Sequence, residues 1–185
     1  SENPRHRFHQ DNFWFFFIGM GMAILLIIVV IFFMPTITVL YGVWLSPLFI
    51  GYFFLLRHKK LSKIIPKEVI ASILYSLGVF LPAFSLYEGA IYLPLAVFFI
   101  QFIFIALSNL LIFSLYEYFI DEKSNQVSIS INYGKNKTKR IIWSLLTVLL
   151  VSGIACLFLW ESNTRLFMAE ALVIAMSVVL GIIML

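Results

Sequence analysis

The sequence predicts an all-α fold, a polytopic transmembrane helical bundle of about six spans. Three observations point there. Of the 185 residues, 62% are hydrophobic and only 12% are charged, with a mean hydropathy of +1.02. Soluble domains carry about twice that share of charge. The apolar residues are gathered into runs of about 20, the length one helix needs to cross a hydrocarbon core of about 30 Å. Six such runs use up the chain, so residues 1–185 form a single transmembrane domain with no room for a soluble one.

Residues 1–11 are a polar, basic lead-in containing Arg5, His6, Arg7 and His9. The first span, about 12–33, is nearly all Phe, Ile, Leu, Val and Met, and Gly19 and Gly21 allow close helix approach. Met34-Pro35 predicts a tight turn. The second span, about 36–56, contains Pro47, which frees a backbone carbonyl and predicts a kink. Arg57 to Lys67 is a strongly basic loop. The third span, about 68–86, carries Ser72, Ser76, Gly78 and Pro82. The fourth, about 91–120, is the longest and the most polar, with Gln101, Ser108, Asn109 and Ser114 along it. About 30 residues span roughly 45 Å, so its Glu117 end should reach the membrane interface. A polar loop leads to spans at about 141–160 and 166–185. The opening at Ser1 and the close at Leu185 inside an apolar run both read as cut ends.

All but one of the 13 Lys and Arg residues, Arg165 being the exception, fall on the lead-in, the 57–67 loop or the 121–140 loop. Alternating spans put those three segments on one face. The positive-inside rule makes that face cytoplasmic, and the expected location is a bacterial inner (plasma) membrane. The same placement removes nucleic acid as a partner: the basic residues sit in short loops beside spans, not on a soluble face. The single cysteine, Cys156, lies in an apolar run, which excludes a disulfide framework and a Cys-based metal site.

Chemistry is concentrated where the fourth span meets the polar loop. Glu117 and Asp121 are four residues apart, a spacing that stacks two carboxylates on one helix face. With Lys123 just beyond, the pair is suited to a hard cation such as Mg2+ held against a phosphorylated ligand. A plain polar cap at the end of a span is the simpler account of the same acids. Asn109 lies two turns deeper and is a candidate to line the same cavity. Glu170, about one turn into the last span, is expected to snorkel towards Arg165. Ser108 and Ser114 are expected to hydrogen-bond between helices, and Cys156 to be a small buried hydrophobe.

Asn109, Glu117, Asp121, Lys123, Ser128 and Gly134, in that spacing and followed by another span, resemble the second aspartate-rich motif of the UbiA superfamily of intramembrane prenyltransferases. Glu117 takes the place of the motif's first Asp. The basic 57–67 loop and the Ser76–Pro82 stretch resemble the family's middle region, so the similarity covers roughly residues 50–160. The family's first motif, Asn-Asp-x2-Asp-x3-Asp, is absent from the sequence. The resemblance implies part of a nine-helix fold around a membrane-open cavity. It implies a prenyl diphosphate donor, an aromatic or lipid acceptor and Mg2+ as cofactor. Glu117 and Asp121 would be the metal-linked carboxylates, catalytic together with Asn109, and Lys123 the diphosphate contact. Two other classes stay open: a non-catalytic scaffold or lipid-binding subunit, and a small transporter coupled to a cation at Glu117 and Asp121.

Overall fold

A computed structural model describes residues 11–57, 66–86, 93–123, 127–160 and 163–185. The described chain is all-α. Six long helices have the length and apolar composition to cross a membrane. They are α1 (Phe13–Phe33), α2 (Thr36–Arg57), α3 (Lys67–Leu86), α4 (Leu93–Tyr116), α7 (Lys135–Leu159) and α8 (Thr164–Ile183). Two short helices, α5 (Tyr118–Lys123) and α6 (Ile129–Tyr133), lie between α4 and α7.

The helix α4 is the hub. It packs against α3, α5, α6, α7 and α8, while α7 and α8 pair closely and α2 lies on α3. The core joins Ile105, Leu111 and Ile112 of α4 to Ile129 of α6, Ile142, Leu146 and Leu149 of α7, and Leu180 of α8. On α7 the buried positions are Thr138, Ile142, Leu146, Leu149, Gly153 and Cys156. Their steps of three and four residues draw one stripe along the helix. At Gly153 the neighbouring helix comes so near that a Cβ would meet Ile174 Cγ1 at 2.8 Å.

Polarity is inverted relative to a soluble protein. The face that α3 buries is Glu68, Ser72, Leu74 and Ser76. The hydroxyls of Ser72 and Ser76 donate to the carbonyls of Val69 and Ser72 at 2.8 and 2.7 Å. Large residues such as Trp44, Phe53 and Phe158 point outward. Lipid is as apolar as leucine, so large apolar residues face the bilayer as readily as they fill the core, and small residues that let backbones approach take much of the remaining interior. The extreme case is α1, which buries none of its residues. Between α3 and α4, Phe80, Phe84, Phe99 and Phe102 form a ring cluster with centroids 5.4–5.6 Å apart. Thr38 and Ser85 share a 2.7 Å hydrogen bond that ties α2 to α3.

Two boundaries differ from the sequence expectation. The helix α7 begins at Lys135, so the basic 135–140 segment is its first turns and not a loop. The fourth span is not continuous to residue 120: α4 ends at Tyr116, Glu117 is a turn, and α5 follows. The physical reason is a competing donor. Ser130 Oγ donates to the carbonyl of Ser114 at 2.7 Å, the acceptor that a continuous helix would offer to the amide of Tyr118. The chain passes through Pro47 inside α2 as a helix. Expectations at Arg5, His6, His9, the 58–65 part of the basic loop and the 87–90 loop lie outside the described residues.

Candidate functional site

The end of the bundle where α4 stops gathers the polar groups. Ser114, in the last turns of α4, and Ser130, in α6, are both buried and doubly linked. Ser114 Oγ donates to Ser130 Oγ at 2.8 Å, and Ser130 Oγ returns to the Ser114 carbonyl. Ser128 Oγ adds a third hydroxyl 3.1 Å from Ser130 Oγ. This knot holds α6 against α4. It gives the predicted interhelical role of Ser114 a partner. Ser108, in contrast, is buried without a hydrogen bond to its hydroxyl among the described residues, so its expected interhelical bond is absent there.

Gly134 separates α6 from α7 with φ 79° and ψ 157°. That region of backbone space is open essentially to glycine alone. It lets the chain turn from α6 directly into α7, where Thr138 Oγ1 donates back to the Gly134 carbonyl at 3.0 Å. Lys135, the first residue of α7, places its ammonium 3.5 Å from the Phe119 ring centroid and 4.4 Å from that of Tyr118. This cation–π clasp fastens α5 to the start of α7.

The two predicted carboxylates stand on successive turns. The Asp121 amide donates to the Glu117 carbonyl at 2.9 Å, so the four-residue relationship survives although the helix is interrupted. Their environments differ: Glu117 is half-buried and Asp121 is only 6% exposed. Lys123 ends α5 and is exposed.

A third carboxylate lies near Asp121. Glu68, in the first turn of α3, is 5% exposed and lies within electrostatic reach of Asp121. Its Oε1 accepts from the Ile129 amide at 3.2 Å, and its Oε2 is buried without a hydrogen bond among the described residues. In the sequence, an acid directly after Pro66-Lys67 has the pattern of a first-turn residue complementing a helix dipole. Only the return of α6 onto α3, 61 positions away in the chain, turns it inward. Its adjacency to the basic loop was the one available signal.

Asn109 is not in this cluster. It is exposed on α4 and lines a groove of about 400 Å³ between α3, α4 and α8, with Tyr75, Phe102, Ala106, Leu172 and Met176 among its walls. Tyr75 and Phe102 stack there, 5.8 Å between centroids and 19° between planes. Asn109 is eight residues before Glu117, about 12 Å along the helix. The groove and the carboxylates therefore share one helix at that separation.

Hard oxygen donors from Glu68, Glu117 and Asp121, one of them an unpartnered buried oxygen, fit Mg2+ in type. Among the described residues no three His, Cys, Asp or Glu side chains are arranged to hold a metal by themselves. Glu170 corrects another expectation. It is fully buried and bonded to Gln101 at 3.2 Å, and does not snorkel towards Arg165. Cys156 is buried as expected. No protein-family model, curated protein or solved structure matches the chain.

Proposed function

We propose that this chain is a UbiA-like membrane prenyltransferase, or part of one, that takes a prenyl diphosphate as donor and an aromatic or lipid acceptor. The observation that carries the reading is the pairing, on α4 and its continuation, of an apolar groove with a carboxylate cluster about 12 Å away. An amphiphile with a branched hydrocarbon tail and a polyanionic head needs both features at such a separation. Carboxylates alone repel a diphosphate. They hold one through a bridging hard cation, and Mg2+ characteristically uses one or two carboxylates together with substrate phosphates. Glu117 and Asp121 would hold the cation, which when bound supplies neutralisation of the departing diphosphate. Lys123, exposed at the end of α5, would add positive charge to the same head group. Asn109 would line the groove beside the hydrocarbon tail, which the groove's aromatic walls would receive. The Lys and Arg residues concentrated at 57–67 and 121–140 support a cytoplasmic location for this end.

A second reading, a lipid-binding subunit without catalysis, is favoured by the metal geometry. The described residues contain no self-sufficient metal cluster. One experiment separates the two. Geranylgeranyl diphosphate binding to the detergent-purified chain is measured with and without Mg2+, beside Glu117→Gln and Asp121→Asn. Binding that requires Mg2+ and fails in both variants supports the donor site. Binding indifferent to Mg2+ and to both substitutions would sink it and favour the lipid-binding subunit.

A further inference from the structure

A second polar site lies inside the membrane, away from the carboxylate cluster, among α4, α7 and α8. Gln101 Nε2 donates to Glu170 Oε2 at 3.2 Å and to Ser152 Oγ at 3.3 Å. The Ser152 hydroxyl itself donates to the Leu149 carbonyl at 3.1 Å. Counted along their helices from the end opposite the carboxylate cluster, Gln101, Ser152 and Glu170 all sit about 9–12 Å deep. They therefore form one layer of the bundle.

Two oxygens in this layer have no donor. Glu170 Oε1 and Gln101 Oε1 are buried and without a hydrogen bond, in side chains that are 0% and 3% exposed. Turning the Gln101 amide over does not help, because it would set the amide oxygen against Glu170 Oε2 and lose the bond that exists. An ionised carboxylate at this depth is costly unless its charge is met. Among the described residues no Lys or Arg meets it, since the nearest along α8, Arg165, is exposed near the helix end.

We propose that Glu170, Gln101 and Ser152 form an intramembrane binding site for one sodium ion. The donor set consists of a carboxylate oxygen, an amide oxygen and a hydroxyl, all hard ligands suited to a hard cation. A single carboxylate balances a single positive charge. A divalent ion would leave excess charge in the bilayer and would have to shed a tightly held water shell. A bridging water would satisfy the oxygens but leave the carboxylate charge unmatched. Space is limited on the α7 side. A Cβ on Gly153 would come within 3.6 Å of Glu170 Oε2 while colliding with Ile174, which favours a small ion. The site is independent of the prenyl diphosphate reading and shares no residue with it.

The test is thermal unfolding of the full chain in detergent, at fixed pH and ionic strength, with sodium chloride exchanged stepwise for choline chloride. Wild type is expected to gain melting temperature saturably with sodium. Glu170→Gln, which keeps the shape and removes the charge, is expected to lose that dependence. Ser152→Ala keeps the carboxylate and removes one ligand. It should raise the half-saturating sodium concentration about tenfold, the loss of one oxygen contact to a charge, and it keeps the test informative if Glu170→Gln does not fold. A melting temperature indifferent to sodium in wild type, or the same sodium response in wild type, Glu170→Gln and Ser152→Ala, overturns the site and leaves a closed polar cluster.

Discussion

The hydroxyl of Ser130 reaches 2.7 Å to the carbonyl of Ser114, sixteen positions earlier in the chain, at the point where α4 gives way to α5. One side chain thus does two things: it ends a membrane-spanning helix and docks α6 onto it. Ser130→Ala removes the donor and leaves Ser114 Oγ without its acceptor. A stability loss of about 1–3 kcal/mol is expected, read as a lower melting temperature in detergent. The same variant should weaken geranylgeranyl diphosphate binding, because it loosens the turn that sets Glu117 and Asp121.

Gly134 makes a sharper prediction. A Cβ there would meet nothing within 4 Å, so any cost of Gly134→Ala is backbone strain alone, about 1–3 kcal/mol. Asparagine relieves left-handed helical positions, but ψ 157° is outside that region. Gly134→Asn should therefore be as unstable as Gly134→Ala. A melting curve on which asparagine restores stability would contradict the assigned conformation.

Glu68 is expected to separate charge from hydrogen bonding. Glu68→Gln keeps an oxygen for the Ile129 amide and should unfold close to wild type. Glu68→Ala strands that buried amide and should cost about 1–3 kcal/mol. Measured side by side, equal losses in the two variants would mean that the carboxylate charge, not the bond to Ile129, stabilises the junction.

The contact at Gly153 tests the α7–α8 packing. Gly153→Ala pushes on Ile174 Cγ1 and should lower the melting temperature. Ile174→Ala removes that atom at the cost of a cavity. Residues in direct contact couple non-additively, so the double variant should be more stable than the sum of the single losses. Strict additivity would show that the helices simply move apart.

Tyr116 supplies a small effect for comparison. Its hydroxyl donates to the Ile183 carbonyl at 2.9 Å, tying the ends of α4 and α8, but the side chain is exposed. Tyr116→Phe should cost under about 1 kcal/mol, a shift of melting temperature well below that of Ser130→Ala.

The spans were legible because a bilayer imposes its thickness on any helix that crosses it. Starts at Thr36 and Lys67 and ends at Phe33 and Leu86 fall within a residue of where hydropathy and Pro35 or Pro66 place them. The break at Glu117 was hidden because its cause, Ser130, is on a different element. Glu170 was misjudged, and Glu68 carried no signal of its own, for a related reason. An acid near a helix end has a cheap local explanation, solvation or snorkelling. Only the helices that close over it reveal burial. The spacing of Glu117 and Asp121 was readable since it is local. The assignment of Asn109 to a separate groove was not, because that groove is built by α3 and α8 as much as by α4.

The bond between Gln101 and Glu170 also bears on how the bundle is assembled. Its partners are 69 residues apart, and polypeptides are made at about 5–20 residues per second. At that pace α4 enters the bilayer roughly 3–14 seconds before α8 is synthesised. For the first 51 of those residues the Gln101 amide has none of its final partners, since Ser152 also lies downstream. The insertion machinery, or the growing α2–α3 pair, must shelter a polar group in hydrocarbon until the last helix arrives. Biogenesis of this protein thus has a vulnerable stage defined by one side chain.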